Sequence, residues 1–499
     1  IVEAYANAVA KGSKVPEPVI VPHENMGVAM AHGYTMVTGK PQAMMVHVGM
    51  GTANSINCVI NAARQNIPML FTAGRTPITE SGDVPGARNN YIHWAQEHFD
   101  QGAMLREFVK WDYELRHPEQ IETTQVVATP PTADAHALDE VCKLLRAAKN
   151  PLLITANGGR TSEGARALTQ FAEHWAMPVV HYRPRYLAMS TEHPLAAGWE
   201  PHAALKTADV VIVVECDVPW IPVQGGPRDD AKIVHIGVDP LFTRYPLRGF
   251  RTDIALTGLV APTLNALADR APEAAALKAR YDSTVKACEA LRASQRSGCD
   301  TIPKTLTTKY VTACLNKLIN AKCGEDALFV NEYPLVLEEM QIRTPGRYFG
   351  SAPAGGLGWG LGAAVGAKLA ARDKTVICTV GDGAYMFGNP TAAHFASRAM
   401  GMPVLFIVYN NARWAAVHRS TLAMYPNGTA SKMAQPPFAT LEPSPHFEKV
   451  AEASDALGIR VSRPEELMAA LERGLHAVQV EKRQALINVE LEVSYVKTS

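Results

Sequence analysis

At 499 residues the chain is too long for one hydrophobic core and suggests about three domains, at roughly 150 residues each. Its 48 Lys plus Arg balance 48 Asp plus Glu, and with no basic stripe there is no net field to draw it to nucleic acid or an anionic membrane. Apolar residues make up 47% and charged residues 19%, an ordinary globular balance, and no run of 18 apolar residues marks a membrane span. The eight cysteines (58, 142, 216, 288, 299, 314, 323 and 378) form no CxxC pair and have no metal-ligand spacing. They read as reduced, mostly buried thiols of a reducing compartment, here the cytoplasm. The chain opens at Ile1, and IVEAYANAVA reads as a helix already under way, so a preceding N-terminal segment is expected.

In chain order, the first block holds three β-rich runs, PVIVPHE (18–24), QAMMVHVG (42–49) and PMLFTAG (68–74). Helical stretches over Asn25–Thr38 and Thr52–Gln65 separate them. Such alternation is the mark of a parallel sheet covered on both faces. VVATPPTADAHALDE (126–140) is a linker candidate from its Pro, Thr and Ala content. The second block repeats the alternation with PLLITA (151–156), MPVVHY (177–182), DVVIVVECDV (209–218) and KIVHIGVD (232–239), all apolar and β-branched enough for buried central strands. Its ANGGRTSEG (156–164) is a Gly-bearing turn but not GxGxxG, so it is weak support for a dinucleotide. A polar helical connector, Ala271–Cys299, leads to the third block, with strands DALFVNE (326–332), KTVICTVGDG (374–383), PVLFIVYNN (403–411) and QALINVEL (484–491). The Gly-rich AGGLGWGLGAAVGAKLA (354–370) runs into a small-residue helix.

The strongest chemical signal is VGDGAYMFGNPTAAHFASRAMGMPVLFIVYNN (380–411). One apolar strand ends in Gly381-Asp382-Gly383 and the next in Asn410-Asn411, which puts both ends on the ligand-binding edge of a parallel sheet. Asp382 and the asparagines are hard oxygen donors, such as magnesium takes together with phosphate oxygens. The backbone N–H groups beside the glycines can approach a phosphate closely. Alone, GDG is a tight turn and NN a strand-end turn. Together, GDG followed about thirty residues later by NN resembles the signature of thiamine-diphosphate enzymes, in their benzoylformate-decarboxylase, acetolactate-synthase and pyruvate-oxidase branch.

The resemblance implies an α/β fold of three doubly wound parallel-sheet domains: pyrimidine-binding (1–130), central and Rossmann-like (138–270), and diphosphate-binding (300–499). It also implies thiamine diphosphate and Mg2+ as cofactors. Asp382 and the Asn411 side chain would bind the metal, with the main-chain oxygen of Arg413 as a third ligand, and Gly381, Gly383 and Ala384 would border the diphosphate. The 29 positions from Asp382 to Asn411 are about two more than this branch leads one to expect. The additional residues are placed in MFGNPT (386–391).

Glu24, in VPHENMGVAMAHGYTMVTGKP (21–41), reads by itself as a helix first-turn acid. By resemblance it is the glutamate that bonds N1′ of the aminopyrimidine and promotes removal of the thiazolium C2 proton, work suited to a carboxyl in a dry site. His47 lies 23 residues after Glu24 and matches a decarboxylase histidine near the reacting carbon, the bland alternative being a buried strand-end His satisfied by backbone. Leu357, inside SAPAGGLGWGLGAA (351–364), would prop the cofactor into its bent shape, and the Gly355 backbone would meet the aminopyrimidine. Asn331 and Glu332 in NEYP resemble a diphosphate loop. Gln101 is a weaker active-site candidate, as are Gln96 and Lys110; Trp414, Ala416 and Ser420 are candidates for the acceptor side.

The implied reaction is making or breaking a carbon–carbon bond next to a carbonyl of a 2-oxo acid or aldehyde. A decarboxylase/carboligase is favoured over an acetolactate synthase, whose QWED-like segment is replaced by NARWAAVHRSTLAMYPNG (411–428), while an acyloin or 2-hydroxyacyl lyase stands nearly level with it. A catalytically dead scaffold relative is disfavoured because Glu24, Asp382 and Asn411 are all present. The partners implied are further copies of the chain, a homodimer at minimum and a homotetramer by family habit. FAD, carried by some relatives, has no motif to support it here. The family's Gly-Asn-Pro-Gly-type loop is expected before Ile1, and its last first-domain strand near residue 124, where TTQVVATPP leaves no room.

Overall fold

The computed structural model describes residues 2–83, 86–115, 120, 130–433 and 435–492. The TTQVVATPP segment and the start of the linker fall mostly outside these residues; within them, Asp134 caps a helix over Ala135–Ala147 by accepting from the Ala137 N–H at 2.9 Å. Three parallel sheets carry the fold, as the alternation of apolar runs and helices requires. The first pairs β1 (Gln42–Val46) with β2 (Met69–Ala73). The second contains β3 (Pro151–Thr155), β4 (Val179–His181), β5 (Val210–Val214), β6 (Lys232–Gly237) and β7 (Ile254–Thr257), in the order β4-β3-β5-β6-β7. The third contains β8 (Ala327–Glu332), β9 (Tyr348–Gly350), β10 (Thr375–Gly381), β11 (Leu405–Asn410), β12 (Leu457–Val461) and β13 (Ala485–Glu490), in the order β12-β13-β11-β10-β8-β9.

The one expected strand that does not form is PVIVPHE. Residues 12–21 are irregular, and Ile20 is 84% exposed. Pro16, Pro18 and Pro22 carry no N–H, so the segment cannot complete a ladder. The helix nevertheless begins at Glu24 and runs to Thr38, ended by Gly39 in the left-handed region. The second helix begins earlier than expected, at Val48, and ends at Arg64. Three short strands escape the pattern of the sequence, β7, β9 and β12; β9 has three residues, and β12 (LGIRV) carries a Gly and an Arg.

The first and third domains share one apolar core, running from Met26, Val28 and Val59 to Trp359, Leu361, Val380 and Phe406. Its spine is the contact between helices Glu24–Thr38 and Trp359–Ala370. The two helices touch backbone to backbone: a Cβ on Gly33 would stand 2.0 Å from the Ala363 carbonyl oxygen, and one on Gly366 2.0 Å from that of Met30. This contact brings the start of the first helix, where Glu24 sits, toward the Gly-rich run that precedes the second. In the central domain ANGGRTSEG is no open cradle. Residues 156–159 are buried, and a Cβ on Gly159 would meet the Leu187 carbonyl oxygen at 2.0 Å. All eight cysteines are free thiols, seven of them buried. Among the described residues no helix is long and apolar enough to cross a membrane.

Candidate active site

The chemistry-bearing residues of the first domain gather at the carboxyl ends of β1 and β2. His47 follows β1 directly, and its exposed side chain makes no capping bond to the helix that follows. The turn is tight: Val48 takes φ 36°, a left-handed conformation that a β-branched residue adopts only under strain. Gln101 ties this turn to the end of β2, its Nε2 donating to Thr52 Oγ1 at 3.1 Å and to the Gly74 carbonyl at 3.0 Å. Glu24 faces the same helix one turn further on. Its Oε2 accepts from Asn54 Nδ2 at 3.2 Å, and a Cβ on Gly51 would stand 3.2 Å from its Oε1. Glu24, His47 and Gln101 therefore share one edge, brought together by the helix Val48–Arg64.

That helix also holds the third domain. Asn57 Nδ2 donates to the Leu357 carbonyl at 3.0 Å. Asn61 exchanges two bonds with Gly356, Nδ2 to the carbonyl at 2.8 Å and the Gly356 N–H to Oδ1 at 3.1 Å. Asn54, Asn57 and Asn61 fall on one helical stripe by their spacing of three and four. Sequence reading passed over them, though that spacing was the available signal. The row sets Glu24 and the backbone of the Gly-rich run one turn apart on the same helix face. Gly355, with φ 68°, and a partly buried Leu357 lie in that run.

Asn331 and Glu332 turn out to be occupied by the protein itself. Glu332 is buried, its Oε1 accepting from Gly358 N–H at 2.8 Å and its Oε2 from Gly360 N–H at 2.6 Å. Burial pushes its carboxyl up to about 7, against the backbone N–H groups of Gly360, Gly358 and Trp359, which hold it down. It thus anchors the start of the Trp359–Ala370 helix. Asn331 donates to Tyr348 OH at 3.0 Å and accepts from Thr379 Oγ1 at 2.9 Å and Leu335 N–H at 3.2 Å. Both side chains shape the Gly-rich run from behind instead of offering free groups to a ligand.

Asp382 and Asn411 meet as their strand ends require, since β10 and β11 are neighbours with Gly381 opposite Tyr409. The Asp382 carboxylate is buried and accepts from Gly383 N–H at 2.8 Å and Arg413 N–H at 3.3 Å. Asn411 Oδ1 accepts from the same Arg413 N–H at 3.0 Å. Ala412, with φ 52°, makes the bend that folds Arg413 back over Asp382. Burial pushes the Asp382 carboxyl up to about 6, although Gly383, Arg413, Ala412 and Asn411 N–H groups hold it down. A buried carboxyl in that condition takes either a proton or a cation. With one carboxylate, one amide oxygen and backbone carbonyls, the donor set fits a hard cation that shares oxygens with a phosphate. Among the described residues no group of three or more His, Cys, Asp or Glu could hold a metal, and this donor set contains only one such residue. Gly383 packs under the Trp414 ring, where a Cβ would come within 2.2 Å, and Phe387 meets the same ring edge-on at 5.6 Å.

Models of thiamine pyrophosphate enzymes match the chain in three consecutive pieces. The N-terminal TPP binding domain covers residues 4–104, the central domain 138–267 and the C-terminal TPP binding domain 332–489. The chain belongs to the thiamine pyrophosphate enzymes. Thiamine diphosphate is accordingly the cofactor of this family member. Among curated relatives it is similar to an acetolactate synthase large subunit of Haemophilus influenzae, at 22% identity over 96% of this chain and 88% of the other. It is also similar to a benzoylformate decarboxylase of Pseudomonas aeruginosa, at 26% identity over 79% of each. Among solved structures, the crystal structure of benzoylformate decarboxylase from Polynucleobacter necessarius shares the fold, with a TM-score of 0.76 at 20% identity over 95% of this chain and 91% of the other. The three α/β domains of this thiamine pyrophosphate enzyme are thus those of its family.

Proposed function

We propose that this chain is a magnesium- and thiamine-diphosphate-dependent 2-oxo acid decarboxylase/carboligase. The observation that carries the reading is the gathering of Glu24, His47 and Gln101 on one edge of the first domain, with an exposed imidazole at the start of the helix whose Asn54 holds the Glu24 carboxyl. The bound cofactor supplies a carbon nucleophile and electron sink for a bond next to a carbonyl. Glu24 holds and moves the proton at N1′ of the aminopyrimidine, while His47 gives or takes a proton at the substrate. Asp382, Asn411 and the Arg413 carbonyl hold Mg2+; Gly381, Gly383 and Ala384 border the diphosphate. Leu357 and the Gly355 backbone support the aminopyrimidine end. In this reading the enzyme works in the cytoplasm, where its free thiols stay reduced. A second copy covers the site, in at least a dimer, and the exposed Met50, Phe99, Phe387 and Val417 around the candidate residues support that assembly.

The test is a screen of 2-oxo acids and aldehydes for carbon dioxide release and acyloin formation, with Mg2+ and thiamine diphosphate present. Carbon dioxide release from an aryl or branched 2-oxo acid without a second carbonyl supports the decarboxylase. Product formation only when two carbonyl substrates are present would move the assignment to an acetolactate-synthase-like transferase. The metal assignment has its own check. Asp382→Ala should weaken magnesium-dependent binding of thiamine diphosphate at least tenfold while the melting temperature of the ligand-free protein stays within a few degrees. Unchanged cofactor affinity by calorimetry removes Asp382 from the metal site.

A further inference from the structure

Behind Asp382 and Asn411 the third domain buries polar side chains that its apolar sheet does not need. Asn488 stands in β13 between Ile487 and Val489, fully buried in a strand of apolar neighbours. A side chain so placed must find its hydrogen bonds inside the protein, and here they all run in one direction. Asn410 Oδ1 accepts from the Ala412 N–H at 3.1 Å, and a backbone N–H can only donate. The orientation of the Asn410 amide is thereby fixed, and its Nδ2 donates to Ser444 Oγ at 2.8 Å and to Asn488 Oδ1 at 3.0 Å. Asn488 Nδ2 in turn donates to Glu448 Oε2 at 2.9 Å. Glu448 is also buried, on the short helix Phe447–Glu452. Burial raises its carboxyl, but the Asn488 amide, its own backbone N–H and His446 outweigh that and hold it below the usual carboxylate range. The preceding residue, Phe447, meets the Tyr385 ring edge-on at 5.1 Å, and Tyr385 lies in the helix that begins at Asp382. One short helix thus stands behind both arms of the Asp382 site.

We propose that Asn488 and Glu448 are positioning residues for the metal site, acting through Asn410. The Asn410 Oδ1 holds the Ala412 N–H, Ala412 takes φ 52°, and that bend aims the Arg413 N–H at Asp382 and Asn411. The inference rests on the reading of Asp382, Asn411 and the Arg413 carbonyl as the Mg2+ ligands. All of these residues lie in the third domain, and one copy of the chain holds the complete set. With Asn488 gone, Ser444 alone would hold the Asn410 amide toward Ala412, and the two ligands that follow would lose their fixed separation from Asp382. Mg2+ suffers most from such loosening. It demands near-ideal octahedral geometry at about 2.0–2.1 Å, whereas Ca2+ accepts a more flexible shell at about 2.3–2.6 Å.

Calorimetric titrations of Mg2+ and of Ca2+ into protein saturated with thiamine diphosphate provide the test. Asn488→Ala should lower Mg2+ affinity about five- to tenfold and Ca2+ affinity by less than about twofold. Asn488→Asp combined with Glu448→Gln reverses donor and acceptor at unchanged net charge and still accepts from Asn410 Nδ2. Both affinities should then return to within about twofold of wild type. Should Asn488→Ala not fold, Asn488→Leu combined with Glu448→Leu removes both partners without leaving a buried charge, and the same selective loss of Mg2+ is expected. Wild-type Mg2+ affinity in the broken pair overturns the positioning role, as does a reversed pair that fails to restore it. Equal losses for Mg2+ and Ca2+ also overturn it, because they describe a general loosening of the domain. Asp382→Ala, titrated alongside, keeps the two readings apart. If that variant binds Mg2+ as wild type does, the metal reading falls and the positioning role with it; if it loses Mg2+ while Asn488→Ala does not, only the positioning role falls.

Discussion

Glu24→Gln should still bind thiamine diphosphate but lose C2–H/D exchange by roughly 10³–10⁴-fold, the upper part of the range for a proton-transfer group. The amide keeps the size and can still bond Asn54, which now meets Glu24 Oε2 at 3.2 Å, so the helix start should survive. What it cannot do is pass a proton to and from a ring nitrogen. The structure limits the alternatives: the helix already has its cap in His23, and its first-turn acid at Glu24 is not the group that satisfies Asn25 N–H. If Glu24 served only the helix end, the variant would lose a little stability and exchange at the wild-type rate. NMR exchange measurements on cofactor-saturated protein distinguish the two, and a wild-type rate removes Glu24 from the proposed chemistry.

His47→Ala should lower turnover by roughly 10²–10⁴-fold with little change in cofactor affinity, because the side chain is exposed at a strand end and caps nothing. The strain at Val48 bears on this. A β-branched residue at φ 36° is held there by the turn, and the turn is what presents the imidazole at the edge shared with Glu24 and Gln101. A packing histidine would behave otherwise: a less stable protein whose folded fraction turned over normally. Rates normalised to active sites, beside thermal melts of the same preparation, decide. Normal turnover per folded site shifts the proposal from a decarboxylase toward a carboligase or lyase with another proton donor.

The local grammar of the chain determined a good deal on its own. Apolar runs bounded by turns marked ten of the thirteen strands among the described residues, most of them nearly continuous in apolar residues because they are buried on both faces. GDG and NN close two such runs, and in a parallel sheet neighbouring strand ends share an edge, so the meeting of Asp382 and Asn411 was legible before any coordinate. The failure of PVIVPHE as a strand was also written there, in Pro18 and Pro22, but the apolar residues between them outweighed the missing donors.

Tertiary structure decided the polar side chains. Asn61 finds its partner 295 positions away, and Asn389 finds His23 across 366. The spacing of Asn54, Asn57 and Asn61 marks a stripe, but no local pattern names the partner, since an asparagine on a helix or in a turn is equally at home in water. Glu332 is the clearest case. In NEYP it looks like a ligand contact, and only the approach of the Gly358 and Gly360 N–H groups shows that its charge is spent on the helix Trp359–Ala370. Backbone preference and hydrophobic period act over a few residues and can be read along the chain. The satisfaction of a buried polar group depends on which distant segment closes over it, and that is settled only when the first and third domains pack into one core.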